Sequence, residues 1–470
     1  MAATSLCAPT AAAECLDGGD ILGVGGKRRR SRSRSLVRAR KRRLAAAADE
    51  GSECEAAAAQ VRRRSTDFEQ YAAAQRLVPH EEKHAFFSAL RRPLPLAFRV
   101  RSGGEEGEGG PRATAQEEWE ELRASFTGLE CKPITGVNGA WQITLGRDEL
   151  HQPQLYRLRK WLASSAASGR IVRQEAVSMI PVMLLRVRRH HAILDMCASP
   201  GSKTSQALDA LYDDPAPADQ TAGGLGFVVA NDSDAERGYV LSKRLAGLGR
   251  RACSALVANH DGTKFPNVLA PLRRRPPNKQ LPYSCGAFDR IICDVPCSGD
   301  GTIRKDHKVW KVWHPGYGHS LHPLQLRIAM RGVALLQVGG LMTYSTCSFN
   351  PVENEAVVAA LLQRCQGCLE LVDPSPILRE HFVWRTGWAS WTVLDDDFVT
   401  HADASSAPQL PKTIWPPQSA DIASTLQRCV RMMPHDNDTV SSRTSLSSLL
   451  CSALSLSRAR VHPPVSLQQI

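Results

Sequence analysis

From Arg170 onward, the chain alternates short apolar segments with stretches of helical periodicity. Several of the apolar segments end abruptly in polar residues, as buried strands do when their carboxyl ends carry a site. Strands that alternate with helices predict a parallel sheet with helices on both faces. The predicted strands are Ala192 to Asp195, Phe227 to Ala230, Ala255 to Ala258, Arg290 to Cys293 and Leu341 to Tyr344.

Two cysteines follow the fourth and fifth predicted strands. The fourth strand leads into Asp294 and Cys297, and the fifth leads into Cys347. A cysteine taken alone is more often a small buried hydrophobe than a reactive group. Active sites of open α/β sheets, however, lie at the carboxyl ends of the strands. Two thiols and a carboxylate at neighbouring strand ends therefore indicate a nucleophile site.

The first predicted strand leads into a loop that opens a helix. The free N–H groups at a helix N-terminus can hold an anionic or carboxylate-bearing ligand. The G-x-G-x-x-G motif is absent here, and so are the glycines that a P-loop requires before its lysine. A loop with a single glycine suits a cofactor that has no phosphate chain. Its residues are Cys197, Ala198, Ser199, Pro200, Gly201, Ser202 and Lys203.

Acidic residues follow the second and third predicted strands. Asp232 is placed to accept hydrogen bonds from a ribose diol, and Asp261 can reach the adenine end of the same cofactor. Helix N-capping is the alternative for either acid, and it is the preferred interpretation of Asp234. The recurrence of acids at successive strand tips, together with the single-glycine loop, predicts a site for S-adenosylmethionine.

The positive charge of the chain is concentrated in one segment. The formal net charge is +12, and residues 27–43 carry eleven basic residues and no acid, so the rest of the chain is close to neutral. This run predicts a nuclear-import signal, with possible nucleolar location, or an RNA-contacting arm; a merely solubilising tail is the alternative. An organellar leader is disfavoured by Glu14, Asp17 and Asp20.

Composition argues against several other classes of protein. No apolar run approaches the roughly 18 residues that a membrane helix needs. The 14 cysteines are dispersed, as expected of reduced thiols in an intracellular protein. Cys365 and Cys368 form a C-x-x-C in a helical stretch, without the second pair that a zinc ribbon requires. We therefore predict no metal site and no membrane partner. We also expect a monomer.

The pattern along the chain predicts four regions. A helix beginning at Gln174 and stopped by Pro181 opens the regular part. The regions are a disordered basic tail (1–60), a small α+β RNA-contacting domain (61–169), a catalytic domain (170–439) and a disordered Ser/Leu-rich tail (440–470). The basic tail has too few large apolar side chains for their burial to offset the conformational entropy lost on folding.

Five motifs carry a family resemblance. They are I-L-D-M-C-A-S-P-G-S-K-T-S-Q, A-N-D-S-D, V-A-N-H-D, C-D-V-P-C-S-G-D-G-T-I-R-K and Y-S-T-C-S-F-N-P-V-E-N-E. Together they resemble RNA cytosine-5 methyltransferases of the Nol/Nop/Sun family, and most closely the eukaryotic tRNA subfamily. The resemblance runs from about Gln174 to Thr439 and, more weakly, back to about residue 67. It implies a Rossmann-like fold, S-adenosylmethionine as cofactor and RNA, in particular tRNA, as substrate.

The same resemblance implies a role for each candidate residue. Cys347, in the Thr-Cys motif, is the nucleophile, and Cys297, in the Pro-Cys motif, assists product release. The segment from Cys197 to Lys203, with Asp232, Asp261 and Asp294, holds the cofactor.

The chemistry accounts for these residue types. Cytosine C5 is too weak a nucleophile to take a sulfonium methyl directly, so a thiolate first adds to C6. Asp294 can hydrogen-bond the base at N3 or at its amino group and favour this addition. Lys203 can lower a thiol pKa or contact the base. The target base has to be unstacked to reach such a pocket.

Two other functions stay open, and one part of the chain departs from the family. An amino-group methyltransferase typically has an aromatic residue where this chain has Cys297. A catalytically impaired RNA-binding scaffold is disfavoured by the presence of both thiols and all the acids. After Thr439 the family continues into a Gly-Gly-Phe-Phe strand, whereas this chain is Ser/Leu-rich without strand alternation. We therefore expect the last strand of the sheet to be missing.

Overall fold

A computed structural model describes most of the 470-residue chain. The described residues are 65–102, 114–146, 149–215, 224–268, 286–365, 367–436 and 449–456. The predicted disordered basic tail (1–60), which contains the basic run at 27–43, lies outside them. Among the described helices, none is long and apolar enough to cross a membrane.

Strands and helices alternate through most of the described chain. The strands are β1 (Leu96–Val100), β2 (Cys131–Pro133), β3 (Ala140–Ile143), β4 (Ile171–Arg173), β5 (Ala192–Asp195), β6 (Phe227–Asn231), β7 (Ala255–Ala258), β8 (Phe288–Asp294), β9 (Leu336–Thr346), β10 (Leu369–Leu371), β11 (Arg385–Thr386), β12 (Val393–Leu394), β13 (Thr400–His401), β14 (Val430–Met432) and β15 (Leu449–Leu456). The α-helices are α1 (Thr66–Ala74), α2 (Lys83–Arg91), α3 (Ala115–Ala124), α4 (Tyr156–Ala167), α5 (Ala176–Leu184), α6 (Ser202–Asp213), α7 (Ala235–Ala246), α8 (Val309–Val312), α9 (Gly316–Leu335), α10 (Glu355–Cys365), α11 (Ser375–Leu378) and α12 (Ala420–Thr425).

The larger sheet contains all five strands that the sequence predicts. They are parallel and lie in the order β7-β6-β5-β8-β9. The chain thus runs outward in one direction from β5 to β7 and then returns to the other side of β5 with β8. In open α/β sheets, ligands bind at such a reversal, outside the carboxyl ends of the two strands, which here are β5 and β8. The predicted Rossmann-like sheet is confirmed.

Successive residues of the central strands face opposite sides of this sheet. Leu194 and Ile291 lie in a core with residues of α9 and α10. Ile193 and Ile292 lie in a second core with residues of α6 and α7. Both faces are therefore covered by helices, which explains why these strands are continuous apolar runs without alternation.

The C-terminal segment contains a strand that we did not expect. β15 pairs antiparallel with β9, from Leu450 opposite Thr346 to Ser455 opposite Leu341, and it also pairs with β10 and β14. The expectation that residues 440–470 lack a strand is therefore wrong for 449–456. The physical reason is that this strand is set by its pairing with β9, β10 and β14, which local alternation does not reveal. Leu454 is fully buried, and α5 packs against β15.

Helix α5 continues past Pro181, where we expected it to stop. Proline in a helix interior removes one hydrogen bond and costs about 3 kcal/mol. Its neighbours Met179, Ile180 and Val182 are buried in the cores on which the helix packs. Burial of these side chains offsets the cost, so tertiary packing sets the helix end at Leu184.

A second, smaller sheet precedes the larger one in the chain. It is antiparallel, in the order β2-β3-β1-β4. Phe98 on β1 packs edge-to-face on Trp119 of α3, and Leu158 of α4 is buried in the same core. β4 belongs to this small sheet, although it begins just after residue 169, where we predicted the small domain to end. The predicted domain boundaries as such stay predictions.

Candidate active site

The two candidate thiols meet at the ends of β8 and β9. These strands are neighbours in the sheet, and Asp294 lies opposite Ser345 at their carboxyl ends. The loops that follow bring Cys297 Sγ to 3.0 Å from Cys347 Sγ. The backbone N–H of Cys347 also donates to Cys297 Sγ at 3.3 Å. The two half-buried thiols thus form one site.

The contact between the two thiols raises the pKa of Cys297. The hydrogen bond with Cys347 is the main cause, and burial adds to it, so the pKa of Cys297 lies well above its usual range. Because the two sulfur atoms are in contact, ionisation of either thiol disfavours ionisation of the other, so only one of them attacks as a thiolate. The assignment of that role to Cys347 stays a prediction from the Thr-Cys motif.

Lys203 and Asp294 form an ion pair beside the thiols. Lys203 Nζ donates to Asp294 Oδ2 at 2.7 Å and to Ser178 Oγ at 3.1 Å, and Ser345 Oγ donates to Asp294 Oδ1 at 2.7 Å. Burial by itself would lower the pKa of Lys203, but its interactions with Asp294, Asp195 and Cys347 together raise it. Lys203 therefore carries a positive charge, which interacts electrostatically with Cys347. The four candidate catalytic residues are brought together.

The predicted single-glycine loop connects β5 to α6. Gly201 precedes the helix with a φ of +96°, a left-handed conformation that favours glycine. A Cβ at this position would lie 2.8 Å from Leu241 Cδ1, so a larger side chain would push the loop away from α7. Among the described residues, no side chain caps α6. The first N–H groups of this helix therefore stay available to a ligand on the side of the loop.

The two strand-tip acids differ in their surroundings. Asp232 is almost fully buried; its Oδ2 accepts a hydrogen bond from Ser199 N–H at 3.2 Å and lies 3.2 Å from the Arg237 guanidinium. Asp261 is exposed, and its Oδ1 accepts hydrogen bonds from the N–H and hydroxyl of Thr263 at 2.8 and 2.7 Å. Asp261 therefore has the capping geometry weighed as the alternative, and its contact with the cofactor stays a prediction. Asp234 caps α7, as we expected.

Asp195, at the tip of β5, is a further acid in this group that we did not single out from the sequence. Its Oδ2 accepts a hydrogen bond from Thr204 Oγ1 at 2.7 Å, while its Oδ1 is buried and has no hydrogen-bond partner among the described residues. Burial raises its pKa to about 7. Burial also raises the pKa of Cys197, aided by the carboxylates of Asp195, Asp294 and Asp232, so Cys197 is not an activated thiol. The signal for Asp195 was available, since it ends its strand as Asp294 does.

The N-terminal helices brace the loop that carries Cys347. Tyr71 Oη donates to Asn350 Oδ1 at 2.8 Å, and both groups are buried. The ring of Phe349 lies 5.3 Å from that of Phe86 and 6.2 Å from that of Phe68, measured between centroids. Helices α1 and α2 thus belong to the structural support of the site. No local feature of the sequence shows which part of the fold these helices contact.

Comparisons with known proteins agree with this arrangement. Residues 182–374 match the model of the 16S rRNA methyltransferase RsmB/F family. The multisite-specific tRNA:(cytosine-C(5))-methyltransferase trm4b of Schizosaccharomyces pombe is 37% identical over 77% of this chain and 55% of its own length. Its counterpart in Saccharomyces cerevisiae is 36% identical over 81% of this chain and 54% of its own length. The chain thus spans about half the length of the curated relatives it matches.

Solved structures are similar in fold. NSun6 from Pyrococcus horikoshii with SFG superimposes with a TM-score of 0.53 and 14% identity, over 84% of this chain and 99% of that one. A methyltransferase homolog protein from Pyrococcus horikoshii gives a TM-score of 0.52 with 20% identity, over 82% of this chain and 93% of that one. At these identities the likeness concerns the fold alone. The family match covers both thiols and every strand-tip acid described above. Residues 182–374 of this chain therefore match the RsmB/F family of methyltransferases, in agreement with the resemblance found in the sequence motifs.

Proposed function

We propose that this protein methylates C5 of cytosine in RNA, with tRNA as the substrate class, through a covalent cysteine–C6 adduct. The observation that carries the proposal is the pair of thiols 3.0 Å apart beside the Lys203–Asp294 ion pair. An amino-group methyltransferase needs no second thiol at this place. The relatives that share this part of the chain are named as tRNA cytosine-5 methyltransferases, which supports tRNA as the substrate.

The residues divide the chemistry between them. The Cys347 thiolate adds to C6, and the ammonium of Lys203 stabilises that thiolate before the attack. Addition leaves C5 electron-rich, so it can form a bond to an electrophilic methyl group. C5 then loses its proton to water, the electron pair of the broken C5–H bond re-forms the C5–C6 double bond, and the C6–Sγ bond breaks so that Cys347 leaves as a thiolate. Asp294 is oriented by Ser345 and Lys203 for a hydrogen bond to the base, and Cys297 assists the last step.

The experiment that tests this proposal is methylation of RNA by the purified protein. Total tRNA and a control RNA of equal length, incubated with S-adenosylmethionine, are analysed by bisulfite sequencing. We expect newly protected cytosines at defined positions of tRNA and none in the reaction without cofactor. Absence of protection in every RNA tested would favour the RNA-binding scaffold.

We propose S-adenosylmethionine as the cofactor because the donor set fits it. Asp195 offers a buried carboxylate oxygen without a partner among the described residues, Asp232 offers a carboxylate at the next strand tip, and α6 offers uncapped N–H groups. The segment from Cys197 to Lys203 would hold its amino-acid end. When bound, S-adenosylmethionine supplies the electrophilic methyl group.

The variant Asp232→Ala should bind S-adenosylmethionine about 10- to 150-fold more weakly. One charge-assisted hydrogen bond contributes about 1.5–3 kcal/mol, which corresponds to that factor. Calorimetric titration measures the affinity. The matched control is Asp234→Ala, which removes a neighbouring carboxylate that only caps α7. Equal affinity of Asp232→Ala and wild type would remove Asp232 from the site.

We also propose that the protein is nuclear and that the run at 27–43 adds RNA affinity without sequence preference. Its eleven basic residues support both roles. Deletion of residues 1–60 should abolish nuclear accumulation. It should also make the slope of log affinity against log salt concentration less steep, because phosphate contacts release counterions. An unchanged location and slope would show that the run only aids solubility.

A further inference from the structure

The two thiols lie on separate loops, and their spacing depends on what joins those loops. Cys297 follows β8, and Cys347 follows β9 fifty residues later in the chain. Strand pairing ends with Asp294 opposite Ser345, and beyond it Gly301 N–H donates to the backbone oxygen of Cys347 at 2.9 Å. Side-chain contacts supply the rest of the support. A displacement of about 1 Å between reacting groups can cost about 10²-fold in rate. The contact between the loops therefore matters for any reaction that uses both thiols.

One of the buried carboxylates that join these two loops contacts the residue next to each thiol. Glu353 Oε1 accepts a hydrogen bond from the N–H of Ser298, the residue after Cys297, at 2.8 Å. Glu353 Oε2 accepts one from Ser348 Oγ, next to Cys347, at 2.7 Å and one from Ser298 Oγ at 2.5 Å. The two serine hydroxyls also lie 3.1 Å from each other.

Glu353 is itself held from two further elements. Gln325 Nε2 on α9 donates to Glu353 Oε1 at 3.0 Å. Tyr344 Oη on β9 donates to the backbone oxygen of Glu353 at 2.6 Å. The glutamate is fully buried, as is Gln325, so the whole arrangement is shielded from solvent. Because Glu353 is hydrogen-bonded to the sheet and to α9, it holds both loops in a fixed position relative to these two elements.

We propose that Glu353 is a positioning residue that holds Cys297 and Cys347 together by bridging Ser298 and Ser348. The relevance to catalysis rests on the proposed function, whereas the bridge itself does not. Glu353 is too deeply buried to touch RNA, so it acts through the thiols. Nothing in its sequence position, six residues after Cys347, indicates this role.

The bridge requires the shape of Glu353 but not its charge. A glutamine can accept from Ser298 N–H and Gln325 with its oxygen and donate to the two serine hydroxyls with its nitrogen, because hydroxyls also accept. Glu353→Gln should therefore keep the bridge, while Glu353→Ala should lose it. A role of Glu353 as a proton acceptor in the reaction would make both variants inactive.

The spacing of the thiols can be measured without methyl transfer. Diamide oxidises two neighbouring thiols to a disulfide; its N=N bond takes up their two electrons and two protons and becomes a hydrazine. The rate at which the Cys297–Cys347 disulfide forms is measured by peptide mass spectrometry. We expect Glu353→Gln to form it at close to the wild-type rate. In Glu353→Ala the rate should fall by about tenfold or more, with a methylation rate reduced by up to about 10²-fold.

Two further variants make the test decisive. Leu158→Ala lies in the core of the small sheet and should lower the urea midpoint of unfolding without slowing formation of the disulfide. If Glu353→Ala does not fold, the double variant Ser298→Ala/Ser348→Ala tests the same bridge with little loss of volume. Disulfide formation at the wild-type rate in the variant that folds would overturn the proposal. So would a Glu353→Gln protein that forms the disulfide normally but does not methylate.

The disulfide assay also separates this proposal from the proposed function. A wild-type protein that methylates no RNA would still show whether Glu353 sets the disulfide rate.

Discussion

Cys347→Ala should form no covalent adduct with RNA and should have no methyltransferase activity, whereas Cys297→Ala should accumulate an adduct that survives denaturing electrophoresis. Only one thiol can add to C6, and the Thr-Cys motif of the family assigns the attack to Cys347. If Cys297 assists only the breakdown of the adduct, its removal stalls the reaction after the attack. The measurement is the fraction of labelled tRNA that migrates with the protein.

The control is wild-type protein with RNA containing 5-azacytosine, which has no proton at position 5 to lose and should therefore trap the adduct. An adduct in Cys347→Ala, together with none in Cys297→Ala, would reverse the two roles. Such an exchange is chemically reasonable, because the sulfur atoms are only 3.0 Å apart. If neither wild type nor either variant forms an adduct, the covalent mechanism is wrong.

Glu355→Ala should lower the free energy of unfolding by about 3–5 kcal/mol, because it leaves a buried guanidinium without its partner. Arg431 Nε and Nη2 each donate to a carboxylate oxygen of Glu355 at 2.6 Å, and these side chains are 3% and 0% exposed. The guanidinium also donates to Phe349 O at 3.0 Å and lies over the ring of Trp388. The pair therefore joins α10, β14 and the Cys347 loop.

Urea denaturation measures this effect, and the chain offers a matched control. Glu120 pairs with Arg123 on the surface, where both side chains are about 40% exposed. Exposed pairs contribute little, so Glu120→Ala should change stability by no more than about 1 kcal/mol. Replacing Glu355 and Arg431 together by leucine and methionine should recover much of the loss, since no charge is then left unpaired. Equal effects of Glu355→Ala and Glu120→Ala would contradict the prediction.

Local pattern predicted the five parallel strands and their helices, because apolar runs and turn residues are features of short segments. It also placed Asp294, Cys297 and Cys347 at strand ends. The local pattern did not predict that α5 continues past Pro181 or that residues 449–456 form β15. In both cases the deciding free energy came from the packing of neighbours distant in sequence rather than from the segment itself.

The sequence alone thus determined which residues stand at the carboxyl ends of strands, and so which chemistry is present. Tertiary structure decided which of these ends meet. The pairing of β8 with β9 brings the two thiols together, and the crossing back of the chain at β5 adds Lys203 and Asp195. The supports of the site, Glu353 and Phe349, could be found only there. Side-chain contacts between separate segments depend on the order and register of the strands, which no short segment specifies.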